Sequence, residues 1–111
     1  MIKVEIFRNQ NNEIYGFRVD NHGDSIVCAG VSALALNCVN CIEHFTEEHF
    51  ICDFNETDGG FLKIEVIPIK EGQHDHDVNL IFNCFLLGIQ AIHAENKKHI
   101  KIVDKEVQEL C

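Results

Sequence analysis

The sequence predicts an α/β domain of the α+β type, with two layers and elements in the order ββαββαβ. Three observations carry that prediction. Residues 2–8 alternate with period two, as a half-buried strand does, and short apolar segments near 14–19, 50–55 and 61–67 read as further strands paired across turns. Two longer segments, 26–45 and 76–95, repeat their apolar residues at helical spacing. Clusters of Asn, Asp, Glu and Gly fall between the strand pairs, where tight antiparallel turns need them. Together they place the helices on one face of a mainly antiparallel sheet.

Each element has its own reason. Ile2, Val4 and Ile6 share one face of the first strand, and residues 14–19 return beside it across Gln10-Asn11-Asn12-Glu13. Ser25 is the expected N-cap of the first helix, because a hydroxyl there accepts a first-turn N–H. That helix is apolar nearly all round, with Asn37, Asn40 and His44 gathered on one stripe, so it needs cover beyond a single sheet face. Asn40 reads either as a satisfied core amide or as a contact between copies. Residues 50–55 and 61–67 form a second hairpin across Glu56-Thr57-Asp58-Gly59-Gly60, ended by Pro68, which has no N–H for a ladder. Asp75 or Asp77 caps the second helix, whose buried face is Val78, Ile81, Phe82, Phe85, Leu86, Ile89 and Ile92. Ile100-Lys101-Ile102-Val103 supplies a last strand, and the polar tail from Lys105 to Cys111 is expected to fray.

A chain of 111 residues suits one domain, spanning 1–111. An apolar fraction of 46% with a single proline argues against disorder. The first residues alternate like a strand and lack the apolar run of a signal peptide, and no apolar stretch is expected to approach the length of a membrane span. A cytoplasmic location follows, and with it a reducing environment in which all six cysteines are expected as free thiols. The formal charge of −9 disfavours direct contact with nucleic acid, which requires clustered Lys and Arg. Such a surface suits a basic protein partner, although surplus charge also simply keeps a chain soluble.

The segment Asp20-Asn21-His22-Gly23-Asp24-Ser25-Ile26-Val27-Cys28-Ala29-Gly30-Val31-Ser32-Ala33-Leu34 holds the chemistry. With Ser25 as cap, Cys28 is the third helical residue, where the positive end of the helix favours an anion, here the nucleophilic thiolate. First-turn N–H groups, including that of Cys28, are placed to hold an oxyanion beside the sulfur. A cysteine in a helix is more often a small buried apolar residue, and a loop histidine is more often just solvated. The pairing of His22 with Cys28 gives each its meaning, because a cysteine hydrolase needs a base for the thiol proton and an acid for the leaving amine. Asp20, Asp24 or a main-chain carbonyl is available to orient the ring. Ser32 lies one turn after Cys28 on the same face, free to bond substrate backbone or its own helix.

This pattern resembles the ribosomal-processing cysteine proteases, the Prp family, whose members carry Gly-His-Ala, then Asp-Ile-Val-Cys-Ala, then a Val/Ala-Ser-Ala run. Asn40, Gly59-Gly60-Phe61 and Leu87-Gly88-Ile89-Gln90-Ala91-Ile92 extend the resemblance along nearly the whole chain. Asn21 and Gly23 replace the glycine and alanine flanking the histidine, and Ser25 stands where the family has aspartate. Only five residues separate His22 from Cys28, about half the family's usual number. Six residue steps still reach roughly 20 Å when extended, more than a dyad needs.

The resemblance implies a cysteine endopeptidase with Cys28 as nucleophile, His22 as general base and proton donor, and Ser32 as a substrate contact. It implies removal of the N-terminal extension from the twenty-seventh protein of the large ribosomal subunit, with cleavage after an aromatic residue in an apolar stretch. It also implies a homodimer, matching the apolar excess of the first helix. No cofactor or metal is expected. Two other readings remain: a non-catalytic ribosome-associated module with an inert cysteine, and a zinc-dependent regulator using Cys38, Cys41 and histidines. Cys38-x-x-Cys41 lies mid-helix with no second such pair, and His74-Asp75-His76-Asp77 reads better as a solvated helix entrance.

Overall fold

The computed structural model describes residues 1–21, 23–56 and 60–105. In chain order they form β1 (Ile2–Arg8), β2 (Ile14–Asp20), α1 (Ser25–Phe45), β3 (Phe50–Asn55), β4 (Phe61–Val66), α2 (Ile67–Lys70), α3 (His76–Glu95) and β5 (Ile100–Lys105). The predicted order is present, with one addition. Residues 67–70 make a single helical turn, α2, because Pro68 sits in the first turn of the helix, where a missing N–H costs nothing. It was expected only to end the strand. Thr57–Gly59 of the second turn and the tail after Lys105 lie outside the described residues.

The sheet order is β3-β4-β2-β1-β5. Both hairpins and the β2–β4 pair are antiparallel, while β5 lies parallel to β1, with Ile2 opposite Ile100 and Val4 opposite Ile102. Arg8 fastens this edge through both Asp104 oxygens, at 2.7 and 2.8 Å. The first hairpin is tied down at its turn by Asn9, which is buried yet satisfied. Its amide donates to the Ile69 carbonyl at 2.7 Å, and its Oδ1 accepts from the N–H groups of Asn11 and Glu13.

One face of the sheet carries Ile2, Val4, Ile6, Phe17, Val19, Leu62, Ile64 and Val66 into a core shared with α1 and α3. Phe17 stacks on Phe85 with ring centroids 4.0 Å apart and meets Phe82 edge-on. The other face is polar and aromatic, with Lys63 and Lys70 paired to Glu65 and Phe7 stacked on Tyr15. The architecture is therefore two-layered, as the sequence predicted.

Two expectations about the helices change. α1 and α3 are each long and apolar enough, by length and composition, to cross a membrane, contrary to the sequence reading. In this fold their buried residues, Val31, Ala35 and Ile42 of α1 and Val78, Phe82 and Ile89 of α3, face the sheet core instead. The N-cap of α1 is Asp24 rather than Ser25: its carboxylate accepts from the N–H groups of Ile26 and Val27 at 3.0 and 3.1 Å. An ionised acceptor forms the stronger bond to those N–H groups, so the helix starts one residue earlier. Asp75 caps α3 in the same way.

Candidate active site

The shift of the cap alters the chemistry expected at Cys28. With Ser25 inside the helix, Cys28 is the fourth helical residue, and its N–H donates to the Asp24 carbonyl at 2.8 Å. That N–H is committed to the helix and is not a resting oxyanion donor, contrary to the sequence expectation. Ile26 and Val27, in the same turn, give their N–H groups to the Asp24 side chain. The half-buried thiol still lies in the first turn, packed against the core at the positive end of a 21-residue helix.

His22, the expected base, lies outside the described residues, so its distance to Cys28 is not part of this geometry. Its flanks are fixed. Asn21 continues from β2 and donates its backbone N–H to the Gly60 carbonyl at 3.1 Å. On the other side, Gly23 approaches the first residues of β1. Of the groups available to orient an imidazole, Asp20 is clamped by Arg18, whose Nε and Nη2 reach it at 3.0–3.2 Å. Asp24 is the helix cap. Both carboxylates are engaged in structural bonds.

Beside this helix start, a groove of about 470 Å³ opens between α1 and the β3–β4 hairpin. Ser32, Ala35 and Leu36 form its α1 wall, Val19 and Asn21 its floor, and Phe54, Phe61 and Leu62 the hairpin wall. Ser32 places the groove one helical turn from Cys28, which itself stands just outside it. The lining is mainly apolar. Phe61 is held from behind by the Arg18 guanidinium, 4.3 Å from its ring centroid. Gly60 makes the corner possible: its φ is +78°, and a Cβ there would come within 2.7 Å of the Asn55 carbonyl.

Asn21, Leu36, Phe54 and Phe61 are site residues that sequence reasoning did not single out. The accessible clue was Asn21 itself, standing where the resembled family has glycine. Its Oδ1 is buried without a hydrogen-bond partner among the described residues, a costly arrangement for an acceptor.

Away from this site, Cys38 is buried, Cys41 and Cys52 are half-buried and Cys84 is exposed. Cys28, Cys38, Cys41, Cys52 and Cys84 are all free thiols, and Cys111 lies outside the described residues. Among the described residues, no three His, Cys, Asp or Glu side chains gather into a group able to hold a metal ion. His74 pairs with Glu13, and His76 lies 3.3 Å from Asp77, beside the capped start of α3.

The family model described as cysteine protease Prp matches residues 1–101. The chain belongs to the Prp cysteine protease family. It is 28% identical to the ribosomal processing cysteine protease Prp of Staphylococcus aureus over 108 residues, covering 92% of this chain and 97% of that one. With the Bacillus subtilis Prp it shares 23% identity over 92% of this chain and 96% of the relative. The fold agrees. A crystal structure of S. aureus Prp with a covalently linked product peptide superposes with a TM-score of 0.80, at 28% identity, over 95% of this chain and 100% of that one. The SMU.848 protein of Streptococcus mutans gives 0.79 at 29% identity, over 95% and 96%. Prp proteins are cysteine proteases, and the cysteine at the start of α1 stands in the motif that first suggested the family.

Proposed function

We propose that this Prp protease removes an apolar N-terminal extension from a basic protein of the large ribosomal subunit, the twenty-seventh, cleaving after an aromatic residue. The observation that carries the reading is the apolar groove that begins one turn from Cys28. An aromatic side chain seated between Leu36, Phe54 and Phe61 would leave the following carbonyl near the helix start, with Ser32 at the junction to bond the peptide backbone. The S. aureus relative has been crystallised with a substrate peptide, which supports peptide binding on this fold.

In this reading His22 takes the proton from Cys28, and the sulfur attacks the carbonyl carbon. The positive end of α1 stabilises the oxyanion, in competition with the Asp24 carboxylate for the same N–H groups. His22 returns the proton to the leaving amine, and water then hydrolyses the thioester. The reaction belongs in the cytoplasm, where ribosomes are assembled. The acidic surface would attract the basic substrate without contacting nucleic acid.

Incubation with the extended ribosomal protein, followed by mass spectrometry of the products, tests the assignment. A single cut after an aromatic residue is expected. Cys28→Ser should keep the fold and lose cleavage, because a serine hydroxyl is not ionised at neutral pH as a thiol can be. Normal processing by that variant would remove Cys28 from the mechanism.

A homodimer is part of the same proposal. Ile26 and Phe45, both on α1 and outside the peptide groove, are 82% and 66% exposed in the single chain, apolar surface that a two-fold contact would cover. Sedimentation equilibrium at micromolar concentration should return twice the chain mass. A monomer throughout that range would rule the dimer out.

A further inference from the structure

Away from the peptide groove, α1 and α3 enclose a second cleft of about 270 Å³, and three of the chain's six cysteines line it. The helices run antiparallel in a close register. A Cβ on Gly88 would lie 2.9 Å from Leu34, and one on Gly30 would lie 3.5 Å from Ile92. One turn further along, the same register brings Cys38 level with Cys84. The three thiols differ in access: Cys38 is buried, Cys41 is half-buried and Cys84 is exposed.

Side-chain direction selects the pair. Helical side chains lean toward the N-terminus of their own helix. Cys84 therefore leans toward Leu80, which in an antiparallel pair is the direction of Cys41. Cys41 leans back toward Cys38, and so toward the level of Cys84. Cys38 is the poorer partner, because burial pushes its thiol well above the ordinary range, with Cys41 and Cys84 adding to the effect. Thiols that share one cleft can be joined by oxidation.

We infer that Cys84 and Cys41 form an oxidation site in which a small peroxide joins α1 to α3 through a disulfide. The Cys84 thiolate attacks one peroxide oxygen, the O–O bond breaks, and hydroxide leaves a sulfenic acid on Cys84. The Cys41 sulfur then attacks the Cys84 sulfur, the S–S bond forms, and the sulfenic oxygen departs as water. Two thiols are oxidised, one peroxide is reduced to two waters, and dithiothreitol reverses the bond. The consequence is mechanical: the helix that carries Cys28 and Ser32 becomes tied to its neighbour. This inference stands apart from the substrate reading and survives its failure.

The reduced full-length chain, treated with a small excess of hydrogen peroxide, then alkylated and digested with trypsin, tests it. The expected product links the peptide spanning 19–63 to the one spanning 71–97, with fragmentation placing the bond at Cys41 and Cys84. It should vanish in Cys84→Ser and Cys41→Ser, persist in Cys38→Ser, and disappear from the wild type on reduction. A bond from Cys84 to Cys38 would overturn the assignment. So would a bond between Cys84 residues of two differently isotope-labelled chains, or Cys84 recovered only as higher oxides. The wild-type digest decides these outcomes without relying on any variant to fold.

Discussion

Phe17 and Phe54 are the same residue type in strands of the same sheet, yet they live in opposite surroundings. Phe17, on the central strand β2, is fully buried between Phe82 and Phe85. Phe54, on the edge strand β3, is 69% exposed and lines the groove beside the candidate active site. β2 has a neighbour on each side, β1 and β4, whereas β3, among the described residues, pairs only with β4. The centre of the sheet holds the fold, and its edge presents apolar surface that the fold does not use. An edge that leaves large aromatics in water is either a liability or a binding surface. In a protease with a groove one turn from its candidate nucleophile, binding is the economical reading.

Three substitutions break or sharpen that contrast. The largest effect is expected for Phe17→Ala, which should lower stability by about 3–5 kcal/mol through lost burial and a cavity, read as a fall in the denaturant midpoint. A small change there would mean that the centre is not the stabilising region. Next comes the helix start between centre and groove. Asp24→Ala removes the acceptor for two first-turn N–H groups and should cost about 0.5–2 kcal/mol in the same measurement. Ser25→Ala, at the position first expected to cap, should cost less. Equal losses would restore Ser25 as the cap. The smallest stability effect belongs to Phe54→Ala, within about 0.5 kcal/mol because little burial is lost. That variant should instead raise KM for the extended substrate severalfold with kcat little changed. A loss of stability matching that of Phe17→Ala would make the edge part of the core.

Much of the fold was legible because strands and long amphipathic helices announce themselves by local periodicity. Ile2, Val4 and Ile6 alternate, and Val78, Phe82, Phe85, Leu86 and Ile89 repeat at helical spacing, all as the buried residues of the structure do. Helix ends were less legible. Asp24 and Ser25 are adjacent and both good caps, and only the folded backbone shows that the carboxylate takes the N–H groups. The four-residue α2 was missed because one helical turn beside a proline carries no periodic signal.

The sequence by itself determined the order of the strands and the two long helices, the two-layer class, the family and the cysteine most in need of explanation. These depend on residues close together in the chain, whose spacing is the physical cause of the pattern. The tertiary structure decided what depends on distant segments meeting. It set β5 parallel to β1, closed a groove from β2, α1 and the β3–β4 hairpin, and brought Cys84 of α3 beside Cys38 and Cys41 of α1. No local spacing encodes such meetings, because chain segments are brought together by burial of a shared core, not by their separation in sequence.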